Sequence, residues 1–460
     1  RDDGNHAFGE FTNDGQGQYT YRFATDLTNL PEDVQAQAAA EGLDISYDPD
    51  VTHRVSMQFD NNDAGAWANP VHDWVPATGA TEGIRTMDIA ATENCNRCHD
   101  PLGAHGGGFG PRREVEYCVV CHNPGTTDPD STNTVDMKVM IHKIHMGRDL
   151  PSVIAGGEYV IWGFRDSEHN YSSLAYPGRP EHIGVCVNCH VGSGTIGDRD
   201  DLVQTSQGDN WAEVPSGAVC GSCHEGEGAQ RHIGGQEDAD CASCHSTGGI
   251  AGSVEASHVI PTWEAAETQF AASVVGVDNS MRGQNPVVTF RIDNPATGEP
   301  WDIINDPAFT SPESRLAVGI AWDTVDYNNV GNQGDNASQV QANPVPGEGN
   351  PGATPNGDGS YSITMPVAIP GTATGSGAAT IEGHPALDVD EDSEGLEEIP
   401  MTNVHAYFSI DEADGSPSER REPVALDQCL ACHGKLSIHG GNRTDDPGSC
   451  VTCHNPRNTD

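Results

Sequence analysis

Alternation of apolar and polar positions along the chain predicts two β-rich regions. In residues 1–90, apolar side chains recur at every second position through 19–23 and 51–59, between turns rich in Gly, Asn and Asp. Residues 260–425 show the same pattern in the runs 288–292, 316–322, 361–365 and 404–410. Successive side chains of a strand point to opposite faces, so a period of two is typical of half-buried strands.

Two other segments lack long apolar runs and hold all 14 cysteines. The cysteines form seven pairs, each with two residues between and a His directly after. The pairs and their histidines are Cys95/Cys98 with His99, Cys118/Cys121 with His122, Cys186/Cys189 with His190, Cys220/Cys223 with His224, Cys241/Cys244 with His245, Cys429/Cys432 with His433, and Cys450/Cys453 with His454.

This spacing predicts seven covalently attached haems c. Two thiols three positions apart reach the two vinyl groups of one porphyrin, and the following His supplies the proximal iron ligand. Zinc sites and disulfides are the alternatives, but neither requires a His after every pair. The histidines predicted to be proximal ligands are therefore His99, His122, His190, His224, His245, His433 and His454.

The remaining histidines supply candidates for the opposite face of each iron. Subtracting seven proximal ligands from 20 His leaves 13, against only eight Met, so bis-histidine ligation is expected. Six of the 13 fall within or beside the first haem-rich stretch, which holds five motifs: His105, His142, His145, His169, His232 and His258. The run 139–145 reads as a short helix with His142 and His145 three positions apart on one side.

An internal repeat adds His439 to the distal candidates. The sequence from Cys95 to His105 and its following Gly-Gly recurs from Cys429 to His439, with the same offset from proximal to following His. Each copy is followed by a second motif that ends in Cys-His-Asn-Pro.

Other histidines are expected to have different roles. His53 belongs to a strand pattern and is expected to be half-buried, while His6 and His384 are expected in solvated loops. For His72, His182 and His405 both roles stay open, with a role other than iron ligand favoured. The acidic run 388–398 begins like a calcium loop but lacks its Gly and closing Glu, and the stretch 328–360 is rich in Asn, Gly and Pro; both are expected to be loops.

The net charge and the hydropathy of the chain limit the kinds of molecule that it is expected to bind. Asp and Glu number 69 against 22 Lys and Arg, a net charge of −47, which disfavours nucleic acid and anionic lipid. No apolar run approaches the length of a membrane span. The chain opens at Arg1 without a leader pattern, so we expect either that a signal peptide has been removed or that the N-terminus is a fragment.

The predicted architecture is multidomain and alternating. Domains rich in β-strands alternate with multihaem domains made of loops and short helices. The boundaries predicted are a β domain at 1–92, a pentahaem domain at 93–259, a second β domain at 260–426 and the start of a second haem domain at 427–460.

Several stretches resemble the outer-surface decahaem c-type cytochromes of the OmcA/MtrC type. They are Cys-Val-Val-Cys-His-Asn-Pro-Gly-Thr-Thr-Asp-Pro-Asp-Ser from 118, Val-Met-Ile-His-Lys-Ile-His from 139, Leu-Pro-Ser-Val from 150, Gly-Phe-Arg-Asp-Ser-Glu-His from 163, and Leu-Ser-Ile-His-Gly-Gly-Asn-Arg-Thr-Asp from 436. The resemblance covers essentially the whole chain in domain order. It implies that the β domains are split, Greek-key-like β-barrels interleaved with the multihaem domains. It also implies export through the periplasm to the outer cell surface and electron transfer to metal oxides, metal ions, flavins or partner cytochromes of an outer-membrane conduit.

The resemblance also bears on the ligands. It matches His105, His142, His145 and His232 to distal positions and leaves His258 as the choice for the fifth. Some members carry a disulfide in the second β domain, but every Cys here is committed to haem. The repeat aligns Asp460 with Asp128, so counterparts of His142 and His145 would lie beyond the sequence, and truncation is the favoured expectation over a genuine seven-haem variant.

Three functions compete at this point. The first is an extracellular electron conduit, with at most non-specific metal-reductase activity. The second is a homopolymeric cytochrome filament whose missing ligands come from a neighbouring subunit. The third is a reductase of a nitrogen or sulfur oxyanion, which is disfavoured because all seven motifs end in His and no catalytic residues stand out.

Overall fold

The computed structural model describes residues 9–40, 42–61, 66–105, 111–163, 165–177, 183–194, 202–236, 238–325, 327, 339–389, 395–411 and 415–455. The chain forms two compact units. The first comprises residues 1–176 with 183–257, and the second comprises residues 177–182 with 258–460.

The first unit begins with three antiparallel strand pairs and one helix. Its elements are β1 (Glu10–Asn13), β2 (Tyr19–Arg22), α1 (Glu32–Ala40), β3 (His53–Ser56), β4 (Phe59–Asn61), β5 (Ala66–Ala68) and β6 (Val71–Trp74). β1 pairs with β2, β3 with β6, and β4 with β5. Tyr19 and Tyr21 are exposed, so the alternation there marks a strand without marking a buried face.

The rest of the first unit consists of short helices, turns and one further hairpin. Its elements are α2 (Thr92–Cys95), α3 (Val115–Cys118), α4 (Met137–Met146), α5 (Pro151–Ile154), β7 (Val160–Gly163), β8 (Ser167–Asn170), α6 (Asn210–Glu213), α7 (Gly217–Cys220), α8 (Glu227–Ile233) and α9 (Asp238–His245). Short 3₁₀ turns occur at Gly147–Asp149, Cys186–Asn188 and Ala256–His258. Many of these elements end at or contain the Cys-His motifs or the histidines near them.

The second unit contains the longer strands. Its elements are α10 (Pro261–Gln269), β9 (Ala271–Asp278), β10 (Val287–Asp293), α11 (Pro307–Thr310), β11 (Arg315–Trp322), β12 (Val340–Ala342), β13 (Thr354–Pro355), β14 (Tyr361–Thr364), β15 (Ser376–His384), β16 (Ala386–Leu387), β17 (Glu397–Glu398), β18 (Val404–Ser409), α12 (Leu426–Leu430), β19 (Ser437–Ile438), β20 (Arg443–Thr444) and α13 (Pro447–Cys450).

Two four-stranded antiparallel sheets enclose the core of the second unit. Their orders are β13-β14-β10-β9 and β12-β11-β15-β18, and β16-β17 and β19-β20 form two-stranded sheets. Phe290 and Ile292 from the first sheet and Val318, Ile320 and Ile381 from the second are fully buried in one cluster. Strands β10, β11, β14 and β18 coincide with the four alternating runs of the sequence, because only one face of each run contributes to that core.

The two segments predicted as loops are only partly described by the structure, and both contain short strands. The stretch 328–360, expected to be a loop, contains β12 and β13, while 328–338 lies outside the described residues. Part of the acidic run, 390–394, also lies outside them, and β17 occupies Glu397–Glu398. Within the described part of the chain, no helix is long and apolar enough to cross a membrane. The fold is multidomain, with β-sheets and short helices.

Candidate functional site

The Cys-His motifs share one local backbone structure. In six of the seven, the His backbone N–H donates to the carbonyl of the first Cys at 2.9–3.0 Å, and the remaining motif lies within helix α9. This bond closes one helical turn, which brings the first thiol and the imidazole onto the same side. None of the fourteen cysteines forms a disulfide.

In three of the seven motifs the two thiols differ in exposure, although the sequence predicts them as equivalent attachment points. In the first three motifs the second cysteine is exposed and the first is half-buried; the exposed ones are Cys98, Cys121 and Cys189. The first cysteine ends a short helix or begins a 3₁₀ turn that packs inward, whereas the second lies in or after the turn that follows.

The other four motifs do not show this difference, because both of their cysteines are half-buried. In the fifth motif, Cys241 and Cys244 both lie within helix α9. The sulfur of Cys244 lies 3.8 Å from Oγ of Ser243. Covalent attachment of haem at Cys98, Cys121 and Cys244, as at the other cysteines, stays a prediction.

Histidines far apart in sequence lie in facing pairs. Imidazole nitrogen binds a metal at about 2 Å, so two imidazoles on opposite sides of one metal place their ring centres about 6 Å apart. Among the described residues, five pairs fit that distance: His99–His145 at 6.1 Å, His105–His122 at 5.8 Å, His142–His190 at 6.2 Å, His232–His245 at 6.2 Å and His439–His454 at 5.9 Å. Each pair joins one predicted proximal histidine to one predicted distal candidate.

Backbone carbonyls orient several of these rings. Nδ1 of His122 donates to the Val135 carbonyl at 2.8 Å, and Nδ1 of His145 donates to the Ile141 carbonyl at 2.8 Å. His142 makes the same bond to the Lys138 carbonyl at 2.5 Å, as does His190 to the Ile89 carbonyl at 3.3 Å. A carbonyl can only accept, so Nδ1 carries the proton and Nε2 keeps the lone pair that a metal requires.

Burial favours the neutral form of four of the paired imidazoles by lowering their pKa. It lowers the pKa of His142, His145 and His190, which helix α4 and the third motif place inside the first unit. Burial is also the largest cause of the lowered pKa of His105. Neutral imidazole is the form that binds iron, so these environments suit ligands.

The other distal candidates have different surroundings. His169 is exposed on β8, with Nε2 3.2 Å from Oγ of Ser167, and His258 is exposed at the end of a 3₁₀ turn. Their assignment, and the distal ligands of His224 and His433, stay predictions.

One expectation about the other histidines is wrong. His384, expected in a solvated loop, ends strand β15 and is buried, because the sheet continues through it. His53 is half-buried in β3, as its alternating pattern indicates. His72 lies exposed on β6. His6 and His182 fall outside the described residues.

Sequence reasoning missed how His405 is held. Its Nδ1 lies 2.8 Å from one carboxylate oxygen of Asp446 and 3.0 Å from the other. Asp446 also caps helix α13, which ends at Cys450. No spacing in the sequence connects positions 405 and 446, since β18 and α13 meet only in the folded unit.

The attachment thiols lie close to one another in a definite order. Burial raises the pKa of the Cys95 thiol to about 11, and the nearby Cys189 thiol raises it further. Cys118 is affected in the same way by Cys95, Cys186 by Cys223 and Cys220, and Cys220 by Cys241. In a loaded protein these sulfurs would be thioethers, so the proximity matters here only as geometry. It places the motifs of the first unit in the order second, first, third, fourth, fifth.

Thiol pairs beside facing imidazoles fit haem c better than a structural metal ion. One side of each imidazole pair belongs to a Cys-His motif, and the other side comes from a helix or turn without cysteine. These features define a multihaem c-type cytochrome.

Comparisons with known proteins agree with this class. Residues 87–259 match the family model of outer membrane cytochrome MtrC/MtrF-like proteins, domains II/IV. The multiheme cytochrome MtrC of Shewanella baltica (strain OS185) is 23% identical over 493 residues, covering 98% of this chain and 64% of the relative. The crystal structure of the outer membrane decaheme cytochrome OmcA has a TM-score of 0.70 at 22% identity, covering 97% of this chain and 63% of that chain.

Residues 87–259 thus match a family of outer membrane cytochromes, and the chain as a whole is similar to multihaem cytochromes of the OmcA/MtrC type. The resemblance seen in the sequence is thereby confirmed, and with it haem c as the cofactor. The chain spans a little under two thirds of the length of both relatives.

Proposed function

We propose that this chain binds seven haems c and conducts electrons at the outer cell surface. The single observation that carries the proposal is the set of five imidazole pairs about 6 Å apart, each with one member in a Cys-His motif. In this proposal His145, His105, His142, His232 and His439 are the distal ligands of the first, second, third, fifth and seventh haems. His258 and His169 remain candidates for the fourth.

Haem supplies reversible one-electron chemistry, and the protein fixes where it happens. The thiols bind each porphyrin, and the backbone carbonyls orient the imidazoles. Two histidines on one iron leave no site for substrate, so such a haem relays electrons. This argument favours a conduit over an oxyanion reductase.

The order of the motifs gives the proposed route. In the first unit the route would begin at the first haem and continue through the third, the fourth and the fifth. The second haem would lie beside the first. Asn94 supports the junction of the first and third motifs, because its side-chain amide donates to the carbonyl of Cys189 at 3.2 Å and of Val203 at 2.9 Å. In the second unit the thiol of Cys429 lies close enough to Cys450 to raise the pKa of the Cys450 thiol.

The acceptors proposed are metal oxides, soluble metal ions, flavins and partner cytochromes. Similarity to outer membrane cytochromes supports an outer-surface location and a conduit with other multihaem cytochromes. For the β regions we propose the finer class of split, Greek-key-like barrels, supported by the two sheets around one core in the second unit.

Reoxidation of the loaded protein tests this function. Dithionite-reduced protein is mixed in a stopped-flow cell with ferric citrate or riboflavin, and haem absorbance is followed. We expect rapid reoxidation of all haems by both acceptors, and slow or no reaction with nitrite, hydroxylamine or sulfite. Catalytic turnover of one of those three, or haems that neither acceptor reoxidises, would contradict the conduit.

A further inference from the structure

The sheet β12-β11-β15-β18 is buried on both faces, and its second face is polar. One face carries Val318, Ile320 and Ile381 into the hydrophobic core. The alternate positions of β15 are Thr380, Glu382 and His384, and all nine residues of that strand are buried. We call Thr380, Glu382, His384, His405 and Gln339 the polar face. Polar groups buried in this number require hydrogen-bond partners, because folding removes the water that would otherwise bind them.

The partners come from the segment that carries the seventh Cys-His motif. This covering segment, residues 443–455, contacts the polar face at three places within the second unit. Arg443 Nη2 lies 2.7 Å from Glu382 Oε1, and Asp446 binds His405. Thr452, fully buried and next to Cys453, donates from its hydroxyl to Gln339 Oε1 at 3.2 Å.

Glu382 is the buried acid at the centre of this interface. It is fully buried, and its carboxylate accepts from the side-chain amides of Gln339 and Gln341, both at 2.6 Å. Gln339 is held by Thr380 at 2.8 Å, in space that Gly319 leaves open: a Cβ on Gly319 would lie 2.3 Å from Gln339 Oε1. A continuous polar path therefore leads from Glu382 through Gln339 to Thr452, beside the haem-attachment cysteine.

Charge added near a buried acid changes its affinity for protons. An electron entering the seventh haem adds one negative charge, which the low-dielectric interior screens poorly. Burial already raises the pKa of Glu382, and Arg443 and Arg315 lower it. A carboxylate in this balance is protonated more readily when a negative charge arrives nearby.

We propose that Glu382 takes up a proton when the haem attached at Cys450 and Cys453 is reduced. The inference rests on the proposed haem loading. In the step, ferric haem accepts one electron from a one-electron reductant, such as dithionite or a reduced neighbouring haem. The Glu382 carboxylate binds one proton from water, so the interior gains no net charge. Reoxidation releases both.

Other charged groups face the same interface. Arg443 and Arg315 stay positive throughout, because a guanidinium does not lose its proton in proteins. Glu398 lies near His384, and Asp446 binds His405. Arg443 retains partial exposure, so water solvates its charge when Glu382 becomes neutral.

Redox-difference infrared spectroscopy of the haem-loaded chain tests the proposal. Reduction is expected to produce a carbonyl band of a protonated carboxyl group, which shifts when glutamate is labelled with ¹³C at its carboxyl carbon. The isotope separates Glu from Asp and from haem propionates. The band should vanish in Glu382→Gln and persist in the control Glu299→Gln, an exposed position of the same unit. Loss of the band in both variants, or its presence in both, would overturn the assignment.

A potential measurement covers the case in which Glu382→Gln fails to fold. In this proposal Glu382 has one pKa in the oxidised protein and a higher pKa in the reduced protein. At pH values between the two, the reduction potential of one haem in the wild type should fall as pH rises. Arg443→Met removes the cation, so Glu382 should be protonated in both redox states and the dependence should flatten at neutral pH. Normal haem spectra with neither a glutamate band nor this flattening would refute the proton step alone. Absence of haem c absorption would instead refute the proposed loading.

Discussion

At the scale of single residues, His105 and His439 show that the internal repeat extends to the backbone. Both have left-handed backbone conformations, with φ of 54° and 55°, which is uncommon for residues other than glycine. Both rings then stack on the histidine of the motif that follows, His122 and His454, with interplanar angles of 27° and 24°. The same strained conformation thus aims an imidazole in each copy, as expected where the backbone positions a functional group.

Removing one of these imidazoles is expected to open one iron. In His439→Ala, the seventh haem would keep His454 and lose its distal ligand. Reduced protein should then bind carbon monoxide at one haem per chain, measured from the CO difference spectrum against total haem. The control His72→Ala, an exposed histidine on β6, should bind none beyond the wild type. Equal binding by the two variants would show that His439 is not a ligand.

Gly448 is a second residue whose identity the packing dictates. A Cβ there would lie 2.2 Å from Cε1 of the His405 ring. Gly448→Ala should therefore force His405 away from helix α13 and destabilise the second unit by about 1–3 kcal/mol. Thermal unfolding of the loaded protein measures this, with Gly371→Ala as control because its Cβ would have nothing within 4 Å. An unchanged midpoint for Gly448→Ala would contradict the close packing.

At the scale of elements, helix α4 serves two proposed haems at once. Asp136 caps its first turn by accepting from the Lys138 N–H at 3.3 Å. The helix then presents His142 to His190 and His145 to His99. Lys143, between them, forms an ion pair with Glu225, the residue after His224. One short helix therefore fixes the relative positions of three Cys-His motifs.

The contact of β18 with α13 is expected to make the second unit sensitive to pH. The hydrogen bond to Asp446 raises the pKa of His405, and Glu422 and Glu419 add to the rise. The stabilisation is fully present below the unfolded pKa of about 6.5 and is lost as pH rises through the higher folded pKa. The difference in unfolding free energy between wild type and His405→Gln should be largest near pH 6 and shrink towards pH 9.

Urea unfolding of the loaded protein at several pH values measures this difference. His72→Gln is the matched control, because that histidine is exposed on β6. If the effect of His405→Gln instead grew with pH, the charged pair with Asp446 would not be its source.

At the scale of the whole molecule, the number of haems bound to each chain can be measured. Intact mass spectrometry of the purified chain should show the polypeptide mass plus seven haems. The double variant Cys429→Ala with Cys432→Ala should show six, with five in the first unit unaffected. A wild-type mass with fewer haems would contradict the proposal that every Cys-His motif is loaded. A double variant that still carries seven would show that the sixth motif does not attach haem covalently.

Much of the functional chemistry follows from local sequence alone. The Cys-His motifs, helix α4 and strands β10, β11 and β18 could all be predicted, because their signals are short-range periodicities or fixed spacings. Burial of His384 could not, since Gly383 and His384 look like a turn until β15 pairs with β11. The exposure of Tyr19 and Tyr21 could not be predicted either. Alternation indicates a strand, but it does not show whether another element covers one face of that strand.

The sequence by itself determined the class of protein, because covalent haem attachment needs only five consecutive residues and their order. It also showed the resemblance to the OmcA/MtrC type and the repeat that relates His105 to His439. Which imidazole faces which motif, and in what order the motifs lie, depended on contacts across tens of residues. Only the tertiary structure decided those, since packing brings His145 to His99 and Cys189 to Cys95. It also brought the seventh motif to the polar face that holds Glu382: Thr452, 70 residues from Glu382 (382 to 452), donates to Gln339 of that face.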